Sequence, residues 1–82
     1  MDFEARVAAI RADVAEVLVA ELDRTHDEVN LFELGLTSLD SIEIAARLRD
    51  LHGLEVTAST LFRFPTIKEL AGLPIAADRG RR

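Results

Sequence analysis

The sequence has no cysteine, only two histidines, and no apolar run near the ~18 residues that span a bilayer. Without thiols, a disulfide framework and a thiolate metal site are both excluded. The two imidazoles, His26 and His52, stand far apart in the chain, so they form no local ligand pair. There are no internal repeats. The opening residues, Met1-Asp2-Phe3-Glu4, are acidic where a secretory signal would be basic, which reads as a cytoplasmic protein without a membrane segment.

What is present points to one small soluble domain. The chain has 82 residues, 49% apolar and 30% charged. A chain of this size buries only roughly 60–65% of its unfolded surface, too thin a core for a deep catalytic pocket. Residues 1–36 carry nine acids and three bases (−6), residues 37–56 four and two (−2), and residues 57–82 two and five (+3). An acidic body repels phosphate backbones, so nucleic acid is a poor partner. The same charge suits a protein partner with a basic surface, or a solvated face with no partner.

Periodicity places the elements. Phe3, Val7, Ile10, Val14, Val17, Leu18 and Leu22 recur every three or four residues, predicting an amphipathic helix of about five turns with Asp2 as its N-cap. A long connection follows, from about Asp23 to Thr37. Its first half is polar; its second half, Val29 to Leu36, is apolar enough to be pinned to the core through a short helical turn. Gly35 permits a backbone angle that other residues resist. A second helix runs from about Ser38 to His52, capped by Thr37, with Asp40 three residues on as a short version of a capping box, and stopped by Gly53. Leu54-Glu55-Val56 alternates like a strand but has no evident partner. Thr57 caps a brief helix over Ala58–Phe62, and Thr66-Ile67-Lys68-Glu69 opens a last short one. Leu61, Phe62, Phe64, Ile67 and Leu70 are the side chains expected to hold these two against the core. The expectation is an all-α four-helix bundle with a long first loop and a short third helix, a domain over residues 1–74 and a flexible tail over 75–82. Met1 and the short tail read as a discrete protein.

The second helix carries two apolar stripes. Ile44, Ala45, Leu48 and Leu51 form one face, expected in the core; Leu39, Ile42 and Ala46 form another, flanked by Asp40, Glu43 and Arg47. The second stripe is either buried by the bundle or a small docking surface with a charged rim. Ser38 stands one residue before it. A serine at a helix start is ordinarily a cap, but here Thr37 supplies that group. No base or orienting residue for a hydrolytic triad lies near Ser38 in the sequence, and Gly35-Leu36-Thr37-Ser38-Leu39 is not a nucleophile elbow. Asp40 and Glu43 read as a solvated rim, His52 as a favourable charge at a helix C-terminus, and His26 as a solvated loop residue.

Leu34-Gly35-Leu36-Thr37-Ser38-Leu39 resembles the Leu-Gly-x-Asp-Ser-Leu signature of acyl carrier proteins. Leu61-Phe62-Arg63-Phe64-Pro65-Thr66-Ile67 resembles the Leu-Phe-x-x-Pro-Thr segment of polyketide-type carriers, and Gly53 to Val56 lies between the two. The resemblance covers roughly residues 31–71. It implies no catalysis by the chain itself, a 4'-phosphopantetheine arm attached covalently to Ser38 by a phosphopantetheinyl transferase, and thioester delivery to enzymes such as a ketosynthase or acyltransferase. It places Leu39, Asp40, Ile42, Glu43 and Ala46 where such partners dock, on a monomer. Two readings stay open beside it: a peptidyl or aryl carrier, whose usual Gly-Gly is replaced here by Leu34-Gly35, and an unmodified helical interaction domain. Thr37 departs from the family's usual Asp, so the charge beside Ser38 is missing.

Overall fold

Asp2 opens the first helix as the sequence predicts: its carboxylate accepts the Ala5 N–H at 2.7 Å, satisfying one of the unpaired donors at the helix start. The computed structural model describes residues 2–76. Within them α1 (Phe3–Leu18), α2 (Ser38–His52), α3 (Ala58–Arg63) and α4 (Ile67–Ala71) form the expected four-helix architecture, with no strand beyond an isolated bridge. Of the tail expected over 75–82, Ile75 and Ala76 are bonded back to the segment after α2, and residues 77–82 lie outside the described residues.

Helix α1 buries Val7, Ile10 and Val14 and ends a turn earlier than its apolar period suggests. Val19 takes a left-handed conformation (φ 52°), where the Ala20 N–H donates to the Ala15 carbonyl at 3.0 Å and the Val19 N–H to Glu16 at 3.3 Å. This paired closure is the Schellman arrangement, usually built on glycine. Leu22, expected on the helix, instead lies beyond it, partly buried against the core.

The long connection is shorter in structure than in sequence, because two 3-10 turns organise it: Arg24–His26 and Leu31–Leu34. Only the second is expected from the sequence. Leu31 and Leu36 are buried, so the apolar half is pinned as its composition suggests. Backbone bonds hold it too: Leu31 N–H donates to the Pro65 carbonyl at 2.7 Å and Lys68 N–H to Asp27 at 3.0 Å. Arg11 on α1 clamps the same loop, with two bonds to the Asp27 carboxylate at 2.8 and 2.7 Å. That hydrogen bonding makes the Arg11 guanidinium still harder to deprotonate. His26 is not simply solvated. It is half-buried and its Nδ1 accepts the Asp23 N–H at 3.0 Å, while hydrogen bonds from Thr25 hold the Asp23 carboxyl below its ordinary range.

Three expected core residues are displaced. Leu51 is 64% exposed, because the chain turns at Gly53 (φ 67°) and inserts fully buried Leu54 at the end of α2 instead. Leu54 also finds the partner its strand-like pattern lacked: it pairs antiparallel with Ile75, with Glu55 N–H donating to Pro74 and Ala76 N–H to Gly53. Phe62 and Phe64 are 58% and 38% exposed, so Leu61, Ile67 and Leu70 anchor the short helices without them. Phe62 stacks instead on Phe32, with ring centroids 4.8 Å apart.

Helices α1 and α2 run antiparallel. His52 Nε2 meets the Asp13 carboxylate at 2.7 Å, and three residues further along α1 Glu16 bonds Arg47 at 2.7 Å. The C-terminal end of α1 therefore lies beside the first turns of α2.

Candidate functional site

The start of α2 is fixed from both sides. Gly35 (φ 103°) turns the chain out of the second 3-10 turn, an angle glycine takes without a Cβ penalty. Two residues later Thr37 makes the cap: its hydroxyl accepts the Asp40 N–H at 3.1 Å, and the Asp40 carboxylate accepts the Thr37 N–H at 3.0 Å. Asp is one methylene shorter than the Glu usual in a capping box, yet both bonds form.

Ser38 is the first residue of α2 and is exposed. Thr37 takes the capping duty, so the Ser38 hydroxyl is not consumed by the helix terminus. The Ser38 carbonyl accepts the hydroxyl of Ser41 at 2.6 Å, and Ser41 is buried. The exposed serine thus stands on a backbone held from in front by the cap and from behind by a buried side chain. An anion attached to it would lie at the N-terminus of a 15-residue helix, where the first-turn N–H groups and the macrodipole favour negative charge by ~0.3–1 kcal/mol.

The second apolar stripe of α2 is not covered by the bundle. Leu39 is 78% exposed and Ile42 56%, whereas Ala46 is half-buried. Burial selects Ile44, Ala45 and Leu48 for the core, and a single helix cannot turn both stripes inward. The charged rim is less free than the sequence suggests. Asp40 is half-buried and engaged in the cap. Glu43 is exposed but accepts a bond from Arg47 at 3.3 Å, and Arg47 bonds Glu16 more closely, at 2.7 Å. Those bonds, Glu16 first, raise the already high pKa of Arg47. This three-residue network joins α1 to α2. Sequence spacing reveals only its Glu43–Arg47 half, since Glu16 is distant in the chain.

An open groove of about 710 Å³ runs beside Val56, Thr60, Arg63, Phe64, Leu73 and Pro74. No residue from Thr37 to Ala46 lines it, so it is separate from the serine and the exposed stripe.

Residues 8–73 match the family model described as "Phosphopantetheine attachment site". The chain is 33% identical over 63 residues to Nonribosomal peptide synthetase 2 of Cochliobolus heterostrophus, an alignment covering 77% of the chain and 1% of that protein. It is 31% identical over 62 residues to the Non-reducing polyketide synthase Dhc5 of Alternaria cinerariae, covering 76% of the chain and 3% of that protein. The chain thus spans only a few hundredths of these relatives' length. Among solved structures, the HMG-ACPI domain from the CurA module of Lyngbya majuscula superposes with a TM-score of 0.78 at 24% identity, covering 87% of the chain and 72% of that domain. At that identity the likeness speaks for the fold.

Proposed function

The chain belongs to the family of phosphopantetheine-attachment carrier domains, and on that premise we propose that Ser38 bears the 4'-phosphopantetheine arm and that the chain delivers thioester-bound acyl intermediates to enzymes of a biosynthetic synthase. The observation that carries the reading is Ser38 itself: exposed, at the N-terminus of α2, and relieved of capping by Thr37. In loading, Ser38 Oγ bonds to the pantetheine-side phosphorus of coenzyme A. The pyrophosphate bond breaks, adenosine 3',5'-bisphosphate leaves, and the hydroxyl proton passes to a base on the transferase. The chain's own part is passive: it holds the hydroxyl outward and offers a helix N-terminus to the phosphodiester. Once attached, the arm's thiol would supply the thioester chemistry.

The experiment is incubation of the purified chain with coenzyme A, a divalent cation and a broad-specificity phosphopantetheinyl transferase, read by intact mass. A single arm's mass gain is expected; no gain with any of several transferases would leave the chain an unmodified helical domain.

The segment Leu61 to Ile67 supports a polyketide-type carrier; the likeness to peptide synthetases supports a peptidyl one. The two differ in who charges the thiol. An acyltransferase using malonyl-coenzyme A would mark the first, and an adenylating enzyme using an amino acid the second. No described helix is long and apolar enough to cross a membrane.

The same reading gives the exposed stripe a role as the face on which partners dock, with Leu39, Ile42 and Ala46 as apolar contacts and Asp40 and Glu43 at the rim. Because Ile42 is 56% exposed, Ile42→Asp is expected to leave the helical circular-dichroism spectrum intact while raising the KM of transfer roughly tenfold. Loss of helicity would instead make Ile42 a structural residue.

A further inference from the structure

Val19 is the one described non-glycine residue with positive φ, at 52°, and it is 90% exposed. A β-branched residue in this region is an outlier, because its Cβ crowds the neighbouring backbone. Burial does not compensate, since the side chain points into solvent. The closure of α1 needs only the backbone of Val19 and Ala20, and glycine would provide it without strain. The fold therefore has no use for this isopropyl group, and an exposed, strained residue that the fold does not use points outward to a partner.

The position says which partner. The Asp13–His52 and Glu16–Arg47 ties run α1 and α2 antiparallel, so Val19 lies at the same end of the bundle as Ser38. With axes about 8–10 Å apart and ~1.5 Å of rise per residue, the separation is of order 15 Å. An enzyme that reacts with a tethered thiol can work at arm's length, but one that acts on the serine hydroxyl must bring its own active site to it. An interface of ordinary size, about 800 Å² per partner, reaches about 16 Å from its centre, enough to include the end of α1. The charge there is also directional. The last turn of α1 has no basic residue, and Arg47 is shared between Glu16 and Glu43. Together with the negative end of the helix dipole this leaves a net negative surface beside Val19.

Resting on the carrier reading above, we propose that Val19 is a contact point for the phosphopantetheinyl transferase, inserting into an apolar socket flanked by an Arg or Lys of that enzyme, and so extends its footprint from α2 to the end of α1.

The test is steady-state loading by the transferase, with carrier concentration varied, for the wild type, Val19→Gly, Val19→Asn (a left-handed-tolerant polar residue of similar size) and Leu51→Ala as an exposed control on the other end of α2. Val19→Gly is expected to melt roughly 2–6 °C higher as strain is relieved, yet to show a KM for the carrier raised roughly tenfold with kcat retained. Val19→Asn should share the KM defect, and Leu51→Ala should not. An unchanged KM in both Val19 variants would overturn the inference and leave the carrier reading intact, and so would a Val19→Gly that melts lower than wild type. A wild type that never gains mass would overturn the carrier reading itself and this inference with it.

Discussion

Ser38→Ala is expected to take no arm at all, while Ser41→Ala is still loaded. The two serines lie three residues apart on α2 and differ in everything that matters for modification. Ser38 is exposed, and its hydroxyl is free of capping because Thr37 bonds the Asp40 N–H. Ser41 is 1% exposed, and its hydroxyl donates to the Ser38 carbonyl at 2.6 Å. A transferase cannot reach Ser41 without unwinding the first turn of the helix. Ser41→Ala loses that one bond, worth about 1 kcal/mol, and its loading should slow only as far as the helix start loosens. Intact mass after exhaustive loading reads both variants. A mass gain surviving Ser38→Ala would move the attachment point elsewhere.

Leu48→Ala is expected to destabilise the domain by roughly 2–5 kcal/mol, the range for emptying a fully buried leucine site. Leu48 has no exposed surface and packs with Ile44, Leu54 and Leu61 in the one core. A chain of 82 residues has a total stability of only about 4–12 kcal/mol, so this variant approaches the unfolding threshold. Urea or thermal melts followed by circular dichroism give the shift. Leu51→Ala, on the same helix, should change stability by no more than about 0.5 kcal/mol, because Leu51 is 64% exposed. Equal losses in the two variants would return Leu51 to the core.

That pair shows where sequence reading stops. Periodicity places Leu48 and Leu51 on one face of α2, and both look equally buried. What separates them is Gly53 and the chain beyond it, which delivers Leu54 into the space Leu51 would fill and pairs it with Ile75. Likewise Phe62 and Phe64 have the hydrophobicity of core residues, but a six-residue helix cannot turn Leu61 and both aromatics inward. Phe62 finds its partner in Phe32, from another part of the chain.

Local chemistry was legible in the residues themselves. Asp2, Thr37 and Thr66 cap the helices they precede, Gly35 and Gly53 take positive φ, and the apolar half of the first loop is pinned where Leu31 and Leu36 fall. The caps and glycine turns depend on neighbours within four residues, and the burial of Leu31 and Leu36 follows from the apolar run they stand in; a sequence displays both directly. Ser38 as a candidate for attachment comes from the same short range, and the carrier family from two short motifs in order, Leu34 to Leu39 and Leu61 to Ile67. Tertiary structure alone decided which of the two stripes on α2 faces solvent, that Arg47 joins Glu16 to Glu43, and that Arg11 clamps Asp27. Each of these depends on which distant segment arrives at a given face, and only the packed core determines that.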